Sequence, residues 1–476
     1  MGQEMESETQ KTYLKRKISE LESEIRKLKE CSRDEEFFLK RSEEKVQARA
    51  EEMLQTKKKQ FSTVALHGLY DKNDMIQFKS MVLPVFSTTT GAPYDSLKDG
   101  ELLLSYKTIN DPNKIYSRID NTTIDHLAMK VAALEGKNIP ELTYGLCTSS
   151  GMSAVHMATM PFLEVGDEFV SSQFVYGGTN QLFNVTYPKM GWKVNWVYDP
   201  WNLDNWQNAI TSKTKFLYVE SPSNPLLYIA DLPELSKLAH DHNIPLIVDS
   251  TIATPALMRP LEFGADIVVH SLSKAMSSTG RAIGGALVSR EKIVTNMPEL
   301  EDQFAMKVKG GHFRNLGPCL HPPSAAEIWD SINSLEVRLK AMSQSALKIA
   351  KFLANNPKVE KVNYPGLRGH PQHTIAEKLM RFEDGTFGGS HLMSFNIVGD
   401  IYKTMDFANI FNFGVQVTDL GRDYTTWVHP ATTTHGQMTP DERRKGYIYD
   451  NLIRYSVGLE GPDDAIAALD ETLNKI

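Results

Sequence analysis

Between residues 216 and 274 short apolar runs alternate with a helical pattern, and this alternation restricts the fold more than any other feature of the chain. Phe216-Leu217-Tyr218-Val219 ends in Glu220 and a Ser-Pro-Ser-Asn-Pro stretch. Leu232, Leu235, Leu238 and Ala239 follow at helical spacing. Ile244-Pro-Leu-Ile-Val248 then ends in Asp249, and Ile267-Val268-Val269 runs into Ser271–Lys274. Strand, helix and strand in repetition predict a mostly parallel sheet with helices on both faces. Ligands of such sheets sit at the carboxyl ends of the strands. Glu220, Asp249 and the Ser271–Lys274 segment all fall at those ends.

Lys274 is the residue that needs explaining. It follows an apolar run, sits among small hydroxyl residues and glycines, and meets no acidic residue downstream until Glu291. A lysine is seldom buried without a partner. Here it can reach solvent, pair with a carboxylate, hold a phosphate or form an imine with a carbonyl cofactor. The last option needs amides and hydroxyls for a phosphate, an acid for a ring nitrogen and an aromatic for a ring face. Each has a candidate. Gly151 and Met152 open a helical pattern whose free N–H groups suit an anion, although Ser-Gly turns are also ordinary helix caps. Asp249 ends a very apolar strand, where an unpaired carboxylate is costly, and it can equally cap the next element. Tyr176, in "FVYGGT", can lie over a ring or belong to the core. Tyr116 and Arg118, two apart in "IYSRIDNTT", would share one face of an extended segment and suit a phosphate, or form a surface pair on an ordinary strand.

Several function classes are excluded. With 52 basic and 59 acidic residues in 476 and no basic stripe, nucleic acid is not the expected partner. No apolar run approaches the ~18 residues of a membrane span, and the opening MGQEMESETQ lacks a signal core. Cys31, Cys147 and Cys319 match no zinc or disulfide spacing, so no metal is expected and a reducing, cytoplasmic setting is. Residues 1–60 stand apart, with 15 Lys/Arg, 14 Asp/Glu and no proline. Leu14, Ile18, Leu21, Ile25 and Leu28 alternate spacings of four and three, the seam of a coiled coil or the buried stripe of a helix packed on the body.

These residues carry a resemblance. "YSRIDNTTIDHLAMKVAALEG", "SSGMSAV", "YGGTNQLF", "ESPSNPLL", "VDSTIATPALMRPLEFGADIVVHSLSKAMSS", "YPGLRGHPQH", "HPATTTH" and "DNLIRYSVGLE" occur in the order found in the transsulfuration family of pyridoxal-phosphate enzymes of cysteine and methionine metabolism. The resemblance covers about residues 61–476 and implies fold type I, an α/β fold. The expected organisation is a helical extension over 1–60, an arm over 61–125, a large cofactor-binding domain over 126–330 and a small C-terminal α/β domain over 331–476. It further implies that Lys274 carries pyridoxal 5'-phosphate, Asp249 holds the ring nitrogen and Tyr176 stacks on the ring. Ser271 and Ser273 would bind the phosphate with the Gly151 and Met152 amides. Asn224 would contact the phenolic oxygen and Arg454 the substrate carboxylate. Tyr116 and Arg118 would reach the phosphate of a neighbouring subunit, within a dimer of dimers.

The implied reaction starts from a small amino acid and expels its γ-substituent. "TPDERRKGYIYDNLIRYSVGLEGPDD" resembles the methionine and cystathionine γ-lyases, which release a 2-oxo acid, ammonia and a thiol. "HPATTTHGQM" resembles the O-acetylhomoserine sulfhydrylases, which replace the γ-substituent by sulfide or a thiol. Gly178 stands where methionine γ-lyases typically carry a cysteine. Asp419 stands where the γ-lyases typically place a serine beside the substrate carboxylate. It would repel that carboxylate unless Arg422 neutralises it; alternatively it turns away to pair with Arg422 or cap a turn, or receives a cationic or hydrogen-bond-donating part of an unusual substrate. A non-catalytic scaffold recruited through the N-terminal helix is the remaining class, and would lack the yellow colour of a lysine-bound cofactor.

Overall fold

The computed structural model describes residues 33–86, 91, 94, 97, 100, 101, 116–436 and 438–476. The Leu14–Leu28 seam lies outside the described residues. Seven strands form the larger sheet: β1 (Thr143–Thr148), β2 (Glu168–Ser172), β3 (Lys193–Val197), β4 (Thr214–Glu220), β5 (Leu246–Asp249), β6 (Ile267–His270) and β7 (Gly285–Arg290). Their order is β1-β7-β6-β5-β4-β2-β3. The run β3, β2, β4, β5, β6 is parallel throughout, and β7 enters antiparallel to both β6 and β1.

The two-sided burial follows from the apolar runs. Successive strand residues face opposite ways, so Leu217, Val219, Val248 and Val268 join one core, while Phe216, Tyr218, Ile247, Ile267 and Val269 join another across the sheet. The first is closed by the helices Thr122–Glu135, Leu232–Asp241 and Pro322–Ile332; the second takes in Ala154, Val155 and Ala158 of the helix Gly151–Thr159, with Phe162 and Phe304. Each fully buried Val, Leu, Ile or Phe contributes about 1.5–3 kcal/mol, which makes the parallel centre the rigid platform of the molecule. Register places Glu220 beside Asp249 and Asp249 beside Val269. The strand ends are therefore level, and the loops leaving them meet one another.

A second sheet, ordered β10-β11-β12-β9-β8, comprises β8 (Val359–Asn363), β9 (Leu392–Ile397), β10 (Val415–Gln416), β11 (Thr426–Val428) and β12 (Leu452–Ser456). It is antiparallel except between β10 and β11. The 20-residue helix Leu335–Ala354 ties the two sheets together. Leu335, Leu339 and Met342 pack into the first core, whereas Ala346, Ile349, Ala350 and Leu353 pack into the core of the small sheet. The helix Arg33–Thr56 enters the first core through Met53 and Leu54. Its Arg49 pairs with Asp74 at 2.9 Å. Among the described residues no helix is long and apolar enough to cross a membrane.

Candidate active site

The turn after β6 carries Lys274, and its backbone is closed by N–H groups of Ser277 and Ser278 donating to Lys274 O at 2.9 and 3.0 Å. The side chain points at the small sheet. Lys274 Nζ donates to Asp419 Oδ1 at 2.7 Å, with 30% of the side chain exposed. The other Asp419 oxygen is gripped by Arg422. Pairing with Arg422 is one of the three outcomes open to Asp419 from the sequence; the contact with Lys274 is not among them. Burial pushes the Asp419 carboxyl up, but Lys274 and Arg422 outweigh it and hold the group below its usual value.

Asp249 is the opposite kind of carboxylate. Its Oδ1 accepts from Thr251 N at 3.0 Å and Thr251 Oγ1 at 2.6 Å, and its Oδ2 accepts from Tyr218 Oη at 3.4 Å. Burial pushes it up against the pull of Thr251, His270 and Tyr218. No ion pair reaches it among the described residues, so a buried acid at a strand end is left with hydroxyls and one amide. A cationic donor, such as a protonated ring nitrogen, would suit this carboxylate.

The anion end is built at the helix Gly151–Thr159. Ser150 caps it by accepting from Ser153 N at 3.1 Å. That leaves the Gly151 and Met152 N–H groups without an acceptor among the described residues, as first-turn amides of a helix are. A Cβ on Gly151 would lie 2.7 Å from Ser271 Cβ, so only glycine lets the helix start approach Ser271 this closely. Ser271 is itself fixed by donating its N–H to Thr251 Oγ1 at 2.8 Å. Ser273 behaves differently: its hydroxyl donates to Gly284 O and accepts from Gly284 N, both at 3.0 Å.

Tyr176 and Asn224 are placed by one buried acid. Glu220 accepts from Tyr176 N at 2.6 Å and from Asn224 N at 2.8 Å. Burial, then the neighbouring Asp249, push the Glu220 carboxyl up. Tyr176 is 43% exposed above the site. Arg454, in β12, is buried; one Nη donates to Asn224 Oδ1 at 3.4 Å and the other to Thr418 O and Asp419 O at 2.8 Å each. Its Nε has no partner among the described residues. Burial lowers the guanidinium to about 10, and it remains cationic at neutral pH.

Tyr116 and Arg118 do not form the extended face that their spacing suggests. Ile119 N and Asp120 N both donate to Tyr116 O at 2.9 Å, closing a turn. Arg118 folds back over the Tyr116 ring at 4.9 Å and donates to Arg314 O. Their observed contacts are thus with each other and with Arg314. Sequence reasoning also misses Thr251, which ties Asp249 to Ser271, and the double-acceptor role of Glu220. The i+2 spacing of Thr251 from Asp249, typical of an Asx-type turn, is the available signal.

An amine at Lys274, an uncompensated buried acid at Asp249 and free amides at Gly151 together fit a group with an aldehyde, a basic ring nitrogen and a phosphate. The family model described as Cys/Met metabolism PLP-dependent enzyme matches residues 62–474. An L-methionine γ-lyase of Fusobacterium nucleatum subsp. polymorphum is 36% identical over 424 residues, covering 89% of this chain and all of the relative. An O-acetyl-L-homoserine sulfhydrylase of Leptospira meyeri is 33% identical over 442 residues, 87% of this chain and 96% of the relative. Among solved structures, an O-acetylhomoserine (thiol)-lyase of Campylobacter jejuni that holds a pyridoxyl-lysine monophosphate is similar with a TM-score of 0.77 and 31% identity, covering 87% of this chain and all of that one. The chain therefore belongs to the Cys/Met metabolism family of PLP-dependent enzymes, with the fold type I architecture and pyridoxal 5'-phosphate as its cofactor.

Proposed function

We propose that the protein is a γ-lyase: it converts a sulfur amino acid, methionine or cystathionine, and water into a 2-oxo acid, ammonia and a thiol. One observation carries this reading. Lys274 and Arg454 converge on the same turn, Lys274 on the Asp419 side chain and Arg454 on the Thr418 and Asp419 carbonyls. An amine-handling group thus lies beside a carboxylate receptor, which is what recognition of an α-amino acid requires. The bound cofactor would withdraw electrons from the substrate's α-carbon.

The chain's own residues supply the rest. Lys274 holds the cofactor and, once displaced by substrate, takes the Cα proton and returns it elsewhere, as general base and then acid. Asp249 keeps the ring nitrogen protonated. The Gly151 and Met152 amides and the Ser271 hydroxyl hold the phosphate, with Ser273 bracing the loop through Gly284. Tyr176 covers the ring, Asn224 meets its phenolic oxygen and Arg454 binds the substrate carboxylate. Tyr116 and Arg118 complete the phosphate site of a second copy in an assembly of dimers.

A second reading, γ-replacement on O-acetylhomoserine by sulfide or a thiol, is favoured by Gly178. A Cβ there would lie 2.6 Å from Tyr176 Cε1 and 3.3 Å from Met152 Sδ. The tyrosine ring thus leans into space that a cysteine at this position would claim. Incubating the purified protein with methionine, cystathionine and O-acetylhomoserine, each with and without sulfide, separates the two readings. Equal yields of 2-oxobutanoate and methanethiol from methionine are expected. Sulfide-dependent homocysteine from O-acetylhomoserine, without 2-oxobutanoate from methionine, would replace the first reading by the second.

A further inference from the structure

Among the described residues Asp419 is the one carboxylate that touches the reactive amine, and the fold holds it there rigidly. Its Oδ1 accepts from Lys274 Nζ at 2.7 Å and from Leu420 N at 2.9 Å, while Arg422 occupies Oδ2. Two glycines let this turn dock. A Cβ on Gly421, whose φ is +73°, would lie 2.6 Å from Ala275 N, so the turn rests on the backbone next to Lys274. A Cβ on Gly280, with φ +83°, would lie 2.3 Å from Arg422 Nη1, so Gly280 leaves the slot that Arg422 fills. The carbonyl of the same Asp419 fixes Arg454. One residue therefore presents a carboxylate to an amine and orients the cation meant for a carboxylate, the two ends of a zwitterionic amino acid.

When Lys274 is bound to the cofactor it no longer offers an ammonium, and Asp419 Oδ1 loses a cation. The nitrogen that next approaches the same carbon belongs to the substrate. Resting on the amino-acid reading above, we propose that Asp419, clamped by Arg422, is the amine-docking residue of this site: it holds the Lys274 ammonium before the cofactor is bound and receives the substrate's α-ammonium once it is. The exchange balances without an outside acid or base. The C=N bond to Lys274 breaks as the C=N bond to the substrate nitrogen forms; of the three protons on the arriving ammonium two end on Lys274, which leaves as a neutral amine, and the third stays on the new C=N nitrogen. The device favours free α-amino acids and discriminates against acids that lack the amine.

The test compares norleucine, which has no γ-leaving group, with hexanoate, which is the same chain without the amine, by calorimetric titration of the cofactor-loaded protein. In Asp419→Asn the dissociation constant of norleucine is expected to rise about tenfold or more, with that of hexanoate unchanged or lower. Arg422→Gln, which loosens the clamp and keeps the carboxylate, should reduce the preference for norleucine by a smaller factor; it decides the matter should Asp419→Asn not fold. An unchanged preference, or parallel weakening of both ligands, overturns the docking role. Failure of the wild type to bind norleucine would bring down the amino-acid reading, and amino-acid docking with it. The Lys274 half is read separately, from reductive methylation of the cofactor-stripped full chain followed by peptide mass spectrometry. Asp419→Asn should speed modification at Lys274 about tenfold and leave other lysines as they are; an equal rate at Lys274 overturns that half.

Discussion

Lys130 and Lys274 are both lysines turned inward from apolar elements, and they are held in opposite ways. Lys130 is fully buried between the helices Thr122–Glu135 and Pro322–Ile332. Its Nζ donates to Trp329 O at 3.0 Å and Asn333 Oδ1 at 2.8 Å and lies 4.0 Å from the centre of the Trp329 ring. Neutral acceptors and an aromatic face hold it, and burial drags its proton affinity well below the ordinary value. Lys274 is instead part exposed, at the level ends of the strands, and held by one ionised carboxylate. Lys57 resembles Lys130: it is buried, and its Nζ donates to the carbonyl of Glu141 at 2.7 Å. Inwardness alone therefore says little about chemistry. A lysine closed in by fixed neutral groups is part of the packing, whereas one beside an exchangeable charge at an open strand end can react.

The contrast can be broken by exchanging the consequences. Lys274→Ala should lower turnover by about three orders of magnitude or more, abolish the absorbance of the lysine-bound cofactor, and leave the melting temperature within a few degrees. Turnover close to wild type, measured as 2-oxo acid formed, would remove Lys274 from the chemistry. Lys130→Ala should do the reverse. It opens a cavity and strands Asn333 and the Trp329 carbonyl, for a loss of about 2–4 kcal/mol in urea unfolding. The cofactor spectrum should survive, and its loss would mean that Lys130 supports the site as well as the core.

Lys57 sharpens the comparison through pH. Burial lowers its value to about 7 from an ordinary 10.5. Between these values the unfolded chain binds a proton that the folded chain does not, so this group makes stability rise with pH across that window, by up to about 1.4 kcal/mol per unit. Below about pH 7 both states are protonated and the dependence ends. Lys57→Met should flatten the slope measured by denaturant titrations between pH 7 and 9. An unaltered slope would show that the ammonium keeps its proton through its carbonyl contact.

Parts of the site are legible in the residues alone. Asp249, Glu220 and Ser271–Lys274 can be assigned to strand ends because apolar runs and the acids that end them are local features, and register then brings Glu220 and Asp249 side by side. Gly151 is legible as a close approach, and Ser271 is what it approaches. Tyr116 and Arg118 read wrongly as an extended pair, since their spacing does not report that the chain turns at residue 117 and stacks one on the other. Ser273 groups with Ser271 by composition; its bonds to Gly284 depend on β7 returning antiparallel beside β6.

The layered α/β architecture and the placement of Glu220, Asp249 and Ser271–Lys274 at strand ends follow from the residues alone, because hydrophobic periodicity and strand-terminal polar residues act over a few positions. What Lys274 touches depends on packing between distant parts of the chain. Its carboxylate partner lies 145 residues away, in the loop between β10 and β11 of the small sheet. Two glycines with left-handed backbone, at 280 and 421, allow that sheet's turn to settle against it. Ion pairing acts through space and carries no periodicity along the chain, so the meeting of Lys274, Asp419 and Arg422 exists only once the two sheets are packed.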